Sequence, residues 1–113
     1  MPGQPGRGRP MMTALDLFGR RWVLRILWEL TDQPLGFRDL QQACDGMSSS
    51  VLASRLADLS AARLVDADER GEYVLTRVGR KLLVALGPLW QWTEEWAELA
   101  GRVPGREPGP ETP

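Results

Sequence analysis

Apolar residues between positions 12 and 100 recur every three to four residues, which is typical of amphipathic helices. The most regular segment places three leucines at i, i+4 and i+7 on one face: Leu52, Leu56 and Leu59. Ser48 precedes this segment, and we predict that its hydroxyl caps the helix by accepting a hydrogen bond from a first-turn N–H. The opposite face is small and nearly uncharged: it carries Ser50, Ser54 and Ala57, flanked by Val51, Ala53 and Asp58. Since surface helices usually carry Lys and Glu there, this face is predicted to approach another molecule.

The same period predicts helices over residues 13–18, 20–30, 37–44 and about 48–62, and a last helix from residue 76 that breaks at 87–88. Two short segments, 64–67 and 73–75, are rich in apolar or β-branched side chains. Gly71 can supply the positive φ of a turn between them, so a β-hairpin is predicted. The sequence therefore predicts a mainly α fold with a small β-hairpin wing, a winged helix-turn-helix.

Proline and glycine are concentrated at the two ends of the 113-residue chain. Seven of the nine prolines and six of the twelve glycines lie in residues 1–10 or 101–113. Those segments contain few apolar residues to offset the entropy of ordering. We therefore expect disordered tails at 1–11 and 101–113 and one domain at 12–100, with its outer helices available for dimerisation.

The composition gives little support for catalysis or for a metal site. The chain has no histidine, one cysteine and a formal net charge of −1, and no glycine-rich phosphate loop is present. We expect no enzymatic activity, no cofactor and no metal. No apolar run is long enough to span a bilayer, so a cytoplasmic protein without membrane contact is expected. Cys44 lies beside Asp45 and is interpreted as a structural, unactivated cysteine.

Several short motifs, taken in order, resemble one family. They are Ala14-Leu15-Asp16-Leu17-Phe18-Gly19-Arg20-Arg21-Trp22, Gly36-Phe37-Arg38-Asp39-Leu40, the segment 48–59 with its Ser-Arg-Leu, and Glu72-Tyr73-Val74-Leu75-Thr76 followed by Gly79-Arg80. Together they resemble the HxlR-type winged helix-turn-helix regulators of bacteria over residues 12–98. The resemblance implies a DNA-binding homodimer whose first and last helices form the interface and whose helix from Ser48 enters the major groove.

Two features differ from the family pattern. The wing is short and acidic, with several carboxylates around Arg70, whereas the family usually has a longer basic wing. Many members carry a cysteine just before the first helix, used in some as a thiol sensor, and residues 9–12 contain none. We expect weak contact between this wing and DNA, and no thiol response.

DNA binding requires basic groups for phosphates and side chains that reach base edges. The candidates for phosphate contact are Arg21, Arg38, Arg55 and Arg70, assisted by Ser48 and Ser49 at the helix N-terminus. The candidates for base contact are Ser50, Val51, Ala53 and Ser54. For Arg55 an alternative stays open, because it lies at the edge of the leucine face and can pair with a carboxylate inside the domain.

Five tryptophans are the other unusual feature: Trp22, Trp28, Trp90, Trp92 and Trp96. Large aromatic side chains suit a dimer core, which is the interpretation we favour. The alternative is a flat pocket for a small aromatic effector.

The sequence thus predicts a homodimeric transcriptional regulator of a roughly palindromic operator, with double-stranded DNA as its partner. The alternative is a winged-helix protein-interaction module without DNA binding.

Overall fold

The computed structural model describes residues 5–101, and these contain six helices and one two-stranded antiparallel sheet. The elements in chain order are α1 (Pro5–Phe18), α2 (Val23–Glu29), α3 (Phe37–Ala43), α4 (Ser49–Ala61), β1 (Val65–Ala67), β2 (Tyr73–Leu75), α5 (Arg77–Ala85) and α6 (Gly87–Ala100). This order confirms the predicted winged helix-turn-helix, in which α3 and α4 form the helix pair and β1–β2 the wing.

The core lies among α2, α3, α4 and the base of the wing. Its buried residues are Val23, Ile26, Leu27, Leu30, Leu40, Cys44, Met47, Leu52, Leu56, Leu59, Leu64, Val65 and Leu75. Leu52, Leu56 and Leu59 are at most 3% exposed, which confirms the predicted inner face of α4. Burying a leucine stabilises a fold by about 1.5–3 kcal/mol, so these three side chains fix how α4 is rotated about its axis.

The ends of α4 are defined by side-chain and backbone hydrogen bonds. The Ser48 hydroxyl accepts from the Val51 N–H at 3.1 Å, which confirms the predicted N-cap. After the helix, Arg63 adopts φ 64°, and the Leu64 N–H donates to the Leu59 carbonyl at 3.0 Å. This bond closes the helix, at the cost of holding a non-glycine residue in the left-handed region.

The wing pairs Val65 with Leu75 and Ala67 with Tyr73, and Gly71 has φ 80° as its turn requires. A third segment of the chain pairs with the wing, and the sequence did not predict it. Leu35 forms an isolated bridge with Tyr73, in which the Tyr73 N–H donates to the Leu35 carbonyl at 2.8 Å. A single bridge leaves no alternating pattern in the sequence from which a strand could be predicted.

Two predicted boundaries were wrong. Helix α1 begins at Pro5 rather than at residue 13, so residues 5–11 of the predicted tail are helical. Pro10 lies inside α1 and has no N–H, so the helix lacks one backbone hydrogen bond there but continues. Pro10 and Thr13 line a groove between α1 and α5, and Val78 lies on its other side. The remaining tail residues, 1–4 and 102–113, lie outside the described residues. Helix α2 begins at Val23 rather than at residue 20, because Trp22 has φ 79°.

The start of α5 lies against the turn that follows α4. The Thr76 hydroxyl accepts from the Gly79 N–H at 3.0 Å and donates to the Arg63 carbonyl at 2.7 Å. Gly79 is buried, and a Cβ atom on it would overlap the Leu64 carbonyl oxygen. The close approach of two backbones therefore requires glycine at this position.

We expect Gly79→Ala to lower the free energy of unfolding by about 1–3 kcal/mol, because backbone atoms of Leu64 must move to accommodate the methyl group. Urea denaturation followed by circular dichroism measures the change. Gly87→Ala is the matched control, since a Cβ at Gly87 meets no atom of the described residues within 4 Å. Equal stability of the two variants would contradict the close packing at Gly79.

Candidate nucleic-acid interface

The outer face of α4 is a row of small, exposed residues, as the sequence predicts. Its exposed members are Ser49, Ser50, Ala53, Ser54 and Ala57. None of these side chains carries a charge or is long, so the helix backbone can come close to a surface placed against it. An α-helix of this width fits the major groove of B-form DNA.

The hydroxyl groups at the start of α4 are partly engaged with one another. The oxygens of Ser48 and Ser50 lie 3.1 Å apart, and Ser48 also caps the helix. Val51, one of the predicted base contacts, is half-buried and packs against the core. Its position three residues before Ser54 places it at the edge of the exposed face, so little of its side chain is available.

Three of the predicted phosphate ligands are exposed and lie on different elements. Arg38 lies in the first turn of α3, Arg70 lies at the tip of the wing, and Arg21 lies in the turn before α2. The guanidinium of Arg21 is 5.6 Å from the ring centroid of Trp22, a cation–π distance.

Arg55 has partners inside the domain, which is the alternative that the sequence left open. Its Nε donates to the Arg21 carbonyl at 3.0 Å, and its NH1 lies 3.2 Å from Asp58 Oδ2. The same carboxylate oxygen lies 2.9 Å from NH1 of Arg20. The hydrogen bond from Arg20, assisted by Arg55, lowers the pKa of Asp58 below its usual value. Arg55 therefore ties α4 to the turn that precedes α2.

The acidity of the wing has a structural function at one position. Asp68 Oδ1 accepts from the N–H groups of Arg70 and Glu72, each at 2.9 Å. This carboxylate closes the turn in the way an Asx side chain does. Asp66 and Glu69 remain exposed on the same wing.

Arg25 forms a second set of polar contacts, which the sequence did not predict. Arg25 of α2 donates to the Ala43 carbonyl at 2.7 Å, to Glu29 at 2.8 Å and to Asp45 at 3.3 Å. It thereby satisfies a backbone carbonyl at the end of α3 and connects α2 to the turn before α4. The i, i+4 spacing of Arg25 and Glu29 was a visible signal, but the contacts with residues 43 and 45 depend on tertiary structure.

The tryptophans occupy three separate places rather than one pocket. Trp28 and Trp90 contact each other with ring centroids 4.9 Å apart and planes tilted by 60°. Trp92 and Trp96 stack along α6 with centroids 5.3 Å apart and an interplanar angle of 14°. Trp22 packs instead against the core. Within the described residues, the Nε1 donor of Trp90 is buried without an acceptor.

Large apolar side chains are exposed on the outer helices. They are Met11, Met12 and Leu15 on α1, Trp28 on α2, Val78 and Val84 on α5, and Leu89, Trp92 and Leu99 on α6. Leu99 is 88% exposed, and no residue of α6 is buried within the chain. A helix with this composition is expected to be covered by another surface.

A groove of about 680 Å³ runs between α1 and α5. Its lining includes Arg9, Thr13 and Leu17 of α1, Val78 and Leu82 of α5, and Leu64. The described lining includes no tryptophan, so this groove differs from the tryptophan pocket considered in the sequence analysis.

Cys44 is fully buried in the core, as expected for a structural cysteine. Burial raises the pKa of its thiol to about 11; nearby Arg25 partly opposes the shift, and the carboxylates of Glu29 and Asp45 add to it. A thiol of this kind is a poor nucleophile.

No helix among residues 5–101 is both long enough and apolar enough to cross a membrane. The same residues contain no group of three or more side chains able to hold a metal ion.

Comparison with protein families identifies one match over most of the chain. The model described as HxlR-like helix-turn-helix matches residues 17–100. The uncharacterized HTH-type transcriptional regulator YvaP of Bacillus subtilis is 32% identical over 91 residues, which cover 75% of this chain and 84% of the relative. An uncharacterized HTH-type transcriptional regulator of Mycobacterium tuberculosis, Rv3095, is 37% identical over 95 residues, and the chain spans 60% of its length.

Solved structures show the same fold. The crystal structure of quinone-bound YodB from Bacillus subtilis superposes with a TM-score of 0.64 and 30% identity, covering 80% of this chain and 96% of the other. The superposition supports the observed fold, and the names of the curated relatives agree with a helix-turn-helix protein.

We expect the Cys44 thiol to resist modification in the folded protein. A pKa of about 11 instead of 9.0 lowers the thiolate fraction at pH 8 by about 100-fold, and burial blocks access as well. The reaction with Ellman's reagent should be at least 100-fold slower in buffer than in 6 M guanidinium. Because the chain has one cysteine, the signal is unambiguous. Similar rates in the two conditions would contradict the assignment.

Proposed function

Because the chain belongs to the HxlR-like helix-turn-helix family, we propose that it is a DNA-binding transcriptional regulator that acts as a homodimer on a roughly palindromic operator. The observation that carries the proposal is the exposed, uncharged face of α4, held outward by three buried leucines. Relatives of this chain are named as transcriptional regulators, so we infer a regulator rather than an enzyme, working in the cytoplasm beside the chromosome.

We infer that α4 enters the major groove with its N-terminal half against the bases, the usual docking of a recognition helix. Ser54 and Ser50 are placed to hydrogen-bond base edges, and Ala53 to contact a thymine methyl group. Ser49 and the exposed N-terminal turn are available to a phosphate. Val51 contributes less, because it is half-buried.

Arg38 and Arg21 are the best placed of the predicted phosphate ligands, because both are exposed and no described carboxylate pairs with either. Arg70 at the wing tip is flanked by Glu69 and Glu72, whose charges oppose a nearby phosphate. We therefore infer weak minor-groove contact from the wing.

The exposed apolar residues of α1 and α6 support homodimerisation. A two-fold dimer that buries them would place two copies of α4 on one side of the molecule, and such a pair reads two half-sites about 34 Å apart. This symmetry is the reason for proposing a roughly palindromic operator. The tryptophans of α6 then contribute mainly to the interface core.

We infer a small aromatic molecule as a second partner, because a relative of the same fold is described as quinone-bound. In this chain the stacked pair Trp92 and Trp96 offers a flat aromatic surface, and Trp92 is 52% exposed. Binding there would be non-covalent, since Cys44 is buried. It would alter DNA affinity only if the ligand prefers one arrangement of the dimer.

The homodimer predicts a mass by light scattering of twice the 12.6 kDa of the chain at micromolar concentration. Leu99→Glu should shift the protein toward the monomer, because a charge would be buried where an apolar contact is needed. Glu98→Gln is the matched control at the neighbouring exposed position and should stay dimeric. A monomeric wild type would contradict the proposal.

Ser54→Ala should relax base preference at one or two positions of the binding site while leaving overall DNA affinity nearly unchanged. Selection from a random duplex pool, read by sequencing, should show a preference lowered by about five-fold at those positions. Ser60→Ala, on the last turn of α4, is the control and should keep the wild-type preference. If wild-type protein selects no sequence and binds no duplex, the protein-interaction module becomes the better explanation.

A further inference from the structure

The carboxylate of Asp58 lies at the flank of the proposed DNA-binding face. Asp58 follows Ala57 directly and comes four residues after Ser54, so its side chain projects beside this exposed row on α4. Its Oδ2 atom is held between two guanidinium groups, Arg20 NH1 at 2.9 Å and Arg55 NH1 at 3.2 Å. One carboxylate oxygen therefore joins α4 to the turn that connects α1 with α2.

The two arginines differ in what remains available to a ligand. Arg55 is 24% exposed, and its Nε and NH1 groups are engaged by the Arg21 carbonyl and Asp58. Arg20 is 50% exposed, and its contact with Asp58 uses NH1. Since a guanidinium has five N–H donors in a planar fork, much of the Arg20 head group faces solvent.

The arrangement favours an anion at Arg20 in spite of the neighbouring carboxylate. Arg20 and Arg55 both contact the Asp58 carboxylate, so two positive charges meet one negative charge and this cluster is net positive. The Asp58 carboxylate is charged at neutral pH, as an aspartate ordinarily is, and the hydrogen bond from Arg20 lowers its pKa further. A fixed carboxylate on one side of the fork orients the opposite side outward.

We propose that Arg20 contacts a DNA phosphate beside the recognition helix and that Asp58 is the positioning residue that orients it. The inference rests on the proposed DNA-binding function and deepens it. Arg55, a phosphate candidate by sequence, instead supports this cluster from inside the domain. The two phosphate backbones border a helix that lies in the major groove, and the contact with Asp58 holds Arg20 beside α4, within reach of one of them in this proposal.

The test measures the salt dependence of binding to a labelled 30-base-pair duplex of mixed sequence, by fluorescence anisotropy at several salt concentrations. The slope of log K against log[salt] falls in magnitude by about 0.9 for each phosphate that the protein no longer neutralises, or about 1.8 for a dimer. Arg20→Gln should show this decrease, and Arg20→Lys should largely restore the slope because it keeps the charge.

Two further variants separate positioning from charge. Arg55→Gln removes a charge that meets no phosphate in this proposal and one of two contacts to Asp58, so its slope should decrease by less than that of Arg20→Gln, even where it lowers thermal stability. Asp58→Asn should weaken DNA binding although it removes a negative charge, and its slope should move toward that of Arg20→Gln. The double variant Arg20→Gln/Asp58→Asn should bind no more weakly than Arg20→Gln alone, because the two residues act through one contact. Lys81→Gln, exposed on α5, is the charge-matched control and should keep the slope.

The outcomes are distinguishable. An unchanged slope for folded Arg20→Gln would overturn the phosphate contact and leave the proposed function intact. Tighter binding by Asp58→Asn at every salt concentration would show that Asp58 only repels DNA, which overturns its positioning role. Failure of the wild-type protein to bind any duplex would overturn the proposed function itself. Circular dichroism of each variant confirms that the fold is retained.

Discussion

The burial of three leucines of α4 is the constraint on which the rest of the structure depends. Leu52, Leu56 and Leu59 insert between α2, α3 and the base of the wing, so α4 cannot rotate without exposing them. Because a helix turns by about 100° per residue, fixing one face fixes the other. The outward position of Ser50 and Ser54 is therefore a consequence of hydrophobic packing on the opposite side.

Polar contacts then set how α4 is placed relative to its neighbours. Arg25 joins α2 to the end of α3, and Asp58 with Arg55 joins α4 to the turn before α2. Gly79 allows α5 to lie directly on the Leu64 backbone. These ion pairs are only partly buried and remain in contact with water, so each contributes little to stability and mainly fixes geometry near the proposed DNA-binding face.

The outer helices differ from the core helices in that they leave more large apolar side chains exposed. The core is formed by residues 23–75, while α6 buries none of its residues within the chain. A small domain hides only a modest part of its apolar surface, and association offers a way to hide more. The buried core belongs to the winged helix-turn-helix unit, while the outer helices leave large apolar side chains exposed. This division supports the proposed homodimer, in which the interface would set the spacing of two recognition helices.

Local sequence determined the features that depend on neighbours within about ten residues. These are the helical period of the leucines, the Ser48 cap, the Gly71 turn and the order of elements. The face of α4 followed from the same period. Tertiary structure alone decided three other features: the bridge between Leu35 and Tyr73, the contacts of Arg25, and the role of Arg55. An arginine carries the same charge whether it meets a phosphate or a carboxylate. Its partner 34 residues away in the chain is brought near only when the core packs.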